Sequence, residues 1–191
     1  MTPGEGELRV AYIPESDMTD AMREDKQALQ EACFAEVPVE ELFETFVAEP
    51  IGSVLAWYGD VMVGCVSVFT RTITFEGQPV RLGGYGGTCT RADLRGQGIG
   101  AHVCAAAMET LRAEGCEIAM LAVDKDGSTN RFYERQGYRV LGRPFEIVTA
   151  KGQRIVPDDV AMVAPVTSDE TFQRVLAGEQ PLFLGPEKGY W

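Results

Sequence analysis

Three glycines within five positions, Gly96, Gly98 and Gly100, lie at the start of an apolar, alanine-rich segment. Apolar residues recur there at helical spacing from Ile99 to Leu111, so the glycines are predicted to lie at the N-terminus of a helix. Backbone N–H groups without a helical partner, together with the positive end of the helix dipole, make such a junction a binding site for anions. The spacing therefore predicts a loop that binds a phosphate or diphosphate group.

The letters of this loop fit more than one phosphate-binding motif. Gly96, Gly98 and Ala101 satisfy the G-x-G-x-x-G/A dinucleotide fingerprint, and Asp124 ends the next predicted strand, where a ribose-binding acid would lie. After Asp124, however, the chain lacks the alternating strands and helices of a doubly wound sheet, and no Lys-Ser/Thr pair follows the glycines as in a P-loop. A nicotinamide oxidoreductase, and a glycine turn that binds nothing, stay open as alternatives.

A second motif lies further along the chain. Arg95 to Gly100 reads R-x-x-G-x-G, and Asn130 to Tyr138 places Asn and Tyr on a short predicted helix before a Gly-Tyr pair. Together they resemble the GNAT acetyltransferases, whose loop pattern is [Q/R]-x-x-G-x-[G/A]. The resemblance implies acetyl-CoA as the cofactor. It assigns cofactor binding to the loop, to the end of the preceding strand and to one helix residue, namely Thr88, Cys89, Thr90, Arg95, Gly96, Gln97, Gly98, Ile99, Gly100 and Asn130.

Tyr133 is the predicted catalytic residue. Attack of an amine on a thioester requires a proton for the departing thiolate, and a phenol with a pKa of about 10 is a suitable donor. Backbone amides near Cys89 and Thr90 are expected to stabilise the oxyanion. Cys89 as an acyl-carrying nucleophile is the alternative, although a buried strand thiol without a basic neighbour should stay protonated. The general base is not identified, and His102 is given no catalytic role.

A narrower resemblance covers the chain from Val54 to Trp191. The segments that carry it are Thr74-Phe75-Glu76-Gly77, Val80-Arg81, Arg91 to Gln97, Arg131-Phe132-Tyr133, Pro157-Asp158-Asp159 and the final tryptophan, all similar to the aminoglycoside 2′-N-acetyltransferases. This implies transfer of acetyl to an aminoglycoside amine, and hence antibiotic resistance. It places four acids and the terminal tryptophan with its carboxylate beside the acceptor: Glu36, Asp124, Asp158, Asp159 and Trp191.

Two positions depart from that family. A glutamate that helps to deprotonate the acceptor amine is replaced by Gly86, and an aspartate before the final tryptophan is replaced by Gly189. The glycines from Gly83 to Gly87 are expected to leave room for an amine of different shape. Another small-molecule amine, or a non-catalytic acyl-CoA-binding module, is therefore kept as an alternative function.

The elements that must position these residues indicate an α+β (mixed α/β) fold. Long strands, including Val61 to Phe75 and Val80 to Thr90, precede the glycine loop, and a helix and the buried strand Cys116 to Val123 follow it. We predict a GNAT-like fold, with a mostly antiparallel twisted central sheet, one parallel crossover and helices on both faces. Ser16 or Asp17 is expected to cap a helix to Ala35, and a shorter helix is expected from Val39 to Ala48.

Composition limits the setting in which the protein works. The 191 residues suggest a single domain, 1–191, and 17 basic against 29 acidic residues give a net charge of −12, which favours a small cationic amine and disfavours nucleic acid. Five cysteines without a CxxC pair indicate reduced thiols and a cytoplasmic location. No segment approaches the roughly 20 apolar residues of a membrane span, and no metal site is expected. The family resemblance suggests a homodimer.

Overall fold

The computed structural model describes residues 6–35, 44–125 and 129–191. The strands in these ranges are β1 (Leu8–Pro14), β2 (Gly52–Tyr58), β3 (Val61–Phe75), β4 (Gln78–Thr90), β5 (Ile118–Val123), β6 (Arg139–Val140), β7 (Phe145–Val148), β8 (Arg154–Ile155), β9 (Val160–Pro165) and β10 (Leu182–Lys188). The helices are α1 (Asp20–Cys33), α2 (Ile99–Ala113), α3 (Asn130–Glu134) and α4 (Asp169–Ala177).

The main sheet has seven strands in the order β1-β2-β3-β4-β5-β9-β6. Its neighbouring strands are antiparallel except for β4 and β5, which run parallel and are joined by α2. The predicted mixed fold with one crossover in its central sheet is therefore confirmed. A second sheet of three strands, in the order β10-β7-β8, was not predicted, because β8 is two residues long and Gly185-Pro186 weakens the strand signal of β10.

Helices cover both faces of the main sheet, as predicted. Side chains of a strand alternate between the two faces, and β2 divides its residues accordingly. Val54 and Ala56 are buried in the cluster that contains the apolar face of α2. Leu55 and Trp57 are buried in the cluster that contains Leu29 of α1.

Strands β4 and β5 separate partway along their length. Their pairing begins at Leu82 and ends where Gly84 pairs with Met120, whereas β4 continues to Thr90 and β5 continues to Val123. On its other side β4 stays paired with β3 as far as Thr90. The edge of β4 from Tyr85 to Thr90 that faces β5 therefore has no partner in β5, and we call the space between these two strand ends the wedge.

Two predicted helices differ from the structure. Thr19 caps α1, accepting a hydrogen bond from the N–H of Met22 at 3.2 Å, whereas the side chain of Ser16 instead donates to Asp17 in a short 3-10 turn before the helix. Most of the helix predicted from Val39 to Ala48 lies outside the described residues, and residues 46–48 are not helical.

Candidate active site

The glycine loop leads the chain from β4 into α2. Gly96 and Gly98 have φ angles of +79° and +86°, a left-handed conformation that glycine adopts without strain. Gly98 is the N-cap of α2 and provides no side-chain cap, so the N–H groups of the first turn keep their capacity to bind a ligand. A methyl group at either glycine would meet no atom within 4 Å, so the loop is open on that side. This geometry suits an anion at the helix N-terminus.

The loop is anchored by its neighbours. The side chain of Ile99 is buried in the core, which leaves only its main chain for a ligand. The guanidinium of Arg95 is exposed, and its Nε donates to the carbonyl of Thr90 at 3.3 Å. A Cβ at Gly100 would lie 3.4 Å from the ring of Phe132 and 3.5 Å from Oγ1 of Thr90, so the first turn of α2 lies close to both β4 and α3. Gln97 is exposed between the two left-handed glycines.

The hydroxyl of Tyr133 reaches the unpaired edge of β4. It donates a hydrogen bond to Oγ1 of Thr88 at 3.4 Å, while its ring packs edge-on against Phe132 with the centroids 5.0 Å apart. Burial raises the pKa of Tyr133 to about 12, and the hydrogen bond with Thr88 opposes that rise. The phenol therefore keeps its proton at neutral pH, as a proton donor requires. The predicted catalytic residue Tyr133 is therefore in direct contact with Thr88, which is predicted to bind the cofactor.

Asn130, in the first turn of α3, has a buried amide oxygen that lacks a hydrogen-bond partner within the described part of the chain. A buried acceptor without a donor costs about 1–3 kcal/mol, so such an atom suits a ligand that carries an N–H group. Coenzyme A has amide N–H groups in its pantetheine arm, and a diphosphate follows at the end of that arm away from the sulfur. The open edge of β4, the amide oxygen of Asn130 and the glycine loop therefore fit this cofactor, which when bound supplies an activated acyl thioester.

Three of the predicted acceptor-binding acids come together at one end of the sheet. Asp124 directly follows β5, while Asp158 and Asp159 precede β9, and Val123 at the end of β5 pairs with Val160 at the start of β9. Burial raises the pKa of Asp159, and the charges of Asp124 and Asp158 raise it further. These acids lie at the end of the sheet where β4 and β5 have separated. Glu36 lies outside the described residues.

Two residues beside these acids were not predicted from the sequence. The hydroxyl of Tyr190 donates to Asp159, and the ammonium of Lys125 pairs with Asp158, where both side chains are exposed. The sequence does contain a signal that could have identified them, because Lys125 directly follows Asp124 and Tyr190 directly precedes Trp191. Tyr190 links the acids to the end of the chain, a contact that depends on long-range packing.

Trp191 is buried and fills the space beside the glycines of β4. Its indole N–H donates to the carbonyl of Met120 at 2.9 Å. A methyl group at Gly84 would overlap the indole nitrogen, and one at Gly86 would lie 2.6 Å from the main-chain carbonyl carbon of Trp191. The expectation that Gly83 to Gly87 leave room for an amine is therefore wrong at Gly84 and Gly86.

Cys89 lies beside other thiols, and the amino group of Lys26 is close enough to interact with Cys89 and Cys65. It is buried and pairs across the strands with Cys65, and the hydrogen bond with Cys65 and burial both raise the pKa of Cys89. A thiol held in its protonated form is a poor nucleophile, so the geometry does not favour the acyl-carrying alternative. No group of three or more His, Cys, Asp or Glu side chains among the described residues is placed to hold a metal ion.

The fold and the site together define a coenzyme A-dependent acyltransferase: a parallel strand pair that separates, an open glycine loop at the N-terminus of the crossover helix and a partly buried phenol beside the open strand edge. A comparison with protein families matches residues 12–141 to the Acetyltransferase (GNAT) domain. The chain belongs to this family. It is an acetyl-CoA-dependent N-acetyltransferase, as the sequence resemblance implied. A search of curated proteins found no match to the sequence.

Solved structures with the same fold share little sequence with this chain. ElaA from Escherichia coli is 13% identical, with a TM-score of 0.59, and the match covers 83% of this chain and 99% of that one. A GCN5-related N-acetyltransferase from Kribbella flavida is 18% identical, with a TM-score of 0.57, over 74% of this chain and 35% of that one. A chain of the NatC complex, solved with a Gag peptide and CoA, is 16% identical, with a TM-score of 0.57, over 83% of this chain and 99% of that one. These likenesses support the fold.

Proposed function

We propose that the protein transfers acetyl from acetyl-CoA to an amino group of an aminoglycoside, at the 2′ position, and thereby inactivates the antibiotic. The observation that carries this proposal is the convergence of Asp124, Asp158 and Asp159 at the end of the sheet where β4 and β5 separate. Aminoglycosides are small polycations, and grouped carboxylates attract and orient such molecules. The net charge of −12 acts in the same direction.

The same residues suggest how the chain moves protons. Tyr133 donates a proton to the departing thiolate, and Thr88 holds its hydroxyl at the strand edge. Asp159 is the carboxylate best suited to accept a proton from the amine, through water, because burial raises its pKa and so makes its ionised form a stronger base. Main-chain amides at the end of β4 stabilise the charge that develops on the carbonyl oxygen.

A different small amine is the second candidate acceptor. Gly86 and Gly189 stand where carboxylates would occur in the aminoglycoside enzymes that the sequence resembles. The space beside Gly86 is occupied by Trp191, so the acceptor must approach from the side of Asp124 and Asp159. A shorter amine, such as a polyamine, needs fewer charged partners than an aminoglycoside.

Release of free thiol from acetyl-CoA distinguishes these acceptors. We expect release with aminoglycosides that carry a 2′-amine and much less with 2′-hydroxy analogues or linear polyamines, and mass spectrometry with NMR identifies the acetylated nitrogen. Faster release with polyamines would favour the second candidate. Thiol release with none of these amines would contradict both.

Substitutions that remove one negative charge test whether the cluster of Asp124, Asp158 and Asp159 binds the acceptor. Asp124→Asn and Asp159→Asn should each raise KM for the aminoglycoside about fivefold, which corresponds to roughly 1 kcal/mol for one charge pair. Asp159→Asn should also lower kcat, because it removes the proposed base. Asp60→Asn, in the exposed turn between β2 and β3, is the matched control and should leave KM unchanged. The affinity for CoA should be the same in all three variants. An equal effect in the control would mean that only overall charge matters.

The setting of the reaction follows from the same proposal. All five cysteines are free and four are buried, as expected of a protein that functions in the reducing cytoplasm. No helix in the described ranges has the length and apolar character of a membrane span. We also propose that two copies of the chain pair as a homodimer and that nucleic acid is not a partner.

A further inference from the structure

Trp191 covers the point where β4 and β5 separate. The last paired residues of the two strands are Gly84 and Met120, and the indole N–H of Trp191 donates to the carbonyl of Met120. Gly84 and Gly86 point to the same face of β4, and a side chain at either position would collide with Trp191. The narrow end of the wedge is therefore closed on that face by Trp191.

The tryptophan is held firmly in this position. Its ring stacks on Phe69, with the centroids 5.3 Å apart and the planes at 9°, and the guanidinium carbon of Arg71 lies 4.7 Å from the ring centroid. Nη1 of Arg71 also donates to the carbonyls of Leu184 and Gly189, each at 3.1 Å. Only 6% of Trp191 is exposed. These contacts, together with the hydrogen bond from the indole to Met120, hold the ring in place.

The order of the binding elements sets the direction in which an acyl chain extends. The glycine loop lies at the wide end of the wedge, and Tyr133 meets Thr88 partway along the open edge of β4. A thioester arm anchored at the loop, with its sulfur beside Tyr133, directs whatever the sulfur carries toward Gly86. The main chain of Trp191 borders this path at Gly86, and at Gly84, further along the strand, an added Cβ would overlap the indole nitrogen. The indole therefore fills the space that a longer chain would enter.

We propose that Trp191 determines which acyl-CoA the enzyme accepts, by forming the wall that stops the acyl chain after a few carbons. Acetyl ends before this wall, whereas an octanoyl chain would have to displace the indole or leave the wedge. This role belongs to the indole of Trp191 and concerns the acyl donor. It does not depend on the identity of the acceptor amine.

Calorimetric affinities of wild-type protein for acyl-CoAs of increasing length give the first test, in the absence of any amine. Each methylene that enters an apolar pocket should tighten binding about fourfold. A wall predicts the opposite order: CoA and acetyl-CoA bind with similar affinity, and octanoyl-CoA binds at least tenfold more weakly than acetyl-CoA. If octanoyl-CoA binds as tightly as acetyl-CoA, the proposal is wrong.

Variants then assign the effect to the residue. Trp191→Ala should strengthen octanoyl-CoA binding at least tenfold and leave the affinity for free CoA unchanged, with Trp191→Phe between the two. Phe172→Ala is the matched control, since Phe172 of α4 is a buried aromatic in the same core cluster. Equal gains in the Trp191 and Phe172 variants would overturn the proposal, because general loosening of the core would then explain them.

These experiments distinguish a failure of the role proposed for Trp191 from a failure of the proposed acceptor. If Trp191→Ala does not fold, Trp191→Phe and the wild-type series decide the question. If the acyl-length order holds but aminoglycosides are not acetylated, only the acceptor is wrong. If aminoglycosides are acetylated but the acyl-length order is absent, the role of Trp191 is wrong and the proposed function stands.

Discussion

The hydroxyl of Tyr133 lies 3.4 Å from Oγ1 of Thr88, although the two residues are 45 positions apart in the chain. This contact brings α3 against the edge of β4 that β5 has left unpaired. A partly buried proton donor and strand amides without a partner in β5 thus face the same space. A hydrogen bond joins the predicted proton donor on α3 to the predicted cofactor-binding edge of β4.

Tyr133→Phe tests the proton donor. Removing the phenol should lower kcat about 10²–10⁴-fold, the range typical of a general acid, while the Kd for CoA stays the same because the ring keeps its packing. Tyr138→Phe is the control. Tyr138 is fully buried beside Tyr133, with centroids 6.0 Å apart, and its hydroxyl contacts the sulfur of Met108. Similar losses of kcat in both variants would show that packing, rather than proton donation, is affected.

Gly98→Ala tests the glycine loop, with Gly115→Ala as its control at the other end of α2. Both glycines have positive φ angles, +86° and +70°, and neither has an atom within 4 Å of an added Cβ. Each substitution should therefore lower the free energy of unfolding by a similar amount, about 1–2 kcal/mol. Only Gly98→Ala should weaken CoA binding, because it changes the N–H groups that face the diphosphate. Chemical denaturation and calorimetry measure the two effects separately.

Much of the site could be predicted because it depends on local signals. The bounds of β3 agree with the sequence pattern, and the glycine loop follows from backbone conformations that favour glycine. These features arise from spacing and residue type within short segments. They explain why the conformation of the glycine loop could be predicted from the sequence.

The position of Trp191 could not be predicted in the same way. A run of glycines indicates that side chains are missing, but not whether solvent, ligand or another part of the chain fills the space. Here the answer depends on Arg71, which binds carbonyls more than 100 residues away. The second sheet could not be predicted for the same reason, since β10 pairs with β7 rather than with a strand close in sequence.

Mass spectrometry tests whether Cys89 carries the acyl group. Burial raises the pKa of Cys116 to about 11 and that of Cys104 to about 12, and Cys89 and Cys65 are buried beside each other. Incubation with acetyl-CoA without an amine should add no acetyl mass to the intact protein. An alkylating reagent should modify the half-buried Cys33 first, and all five thiols only in denaturant. A stable acetyl adduct on Cys89 would contradict direct transfer.

Asp159→Asn should change how stability depends on pH. Burial raises the pKa of Asp159, so the folded state holds its proton more tightly than the unfolded state does. The contribution of Asp159 to wild-type stability should therefore fall as the pH rises from below the unfolded pKa, about 3.9, through the raised folded pKa. The variant cannot titrate there, and its amide oxygen still accepts the hydrogen bond from Tyr190.

The Tm of Asp159→Asn minus that of wild type should consequently increase between about pH 4 and pH 7. Asp60→Asn, in an exposed turn, is the control for loss of one negative charge and should show no such increase. Thermal denaturation followed by circular dichroism measures these differences. A difference that stays constant with pH would mean that Asp159 pays no desolvation cost in the folded protein, and its assignment as the base that accepts the amine proton would lose its physical support.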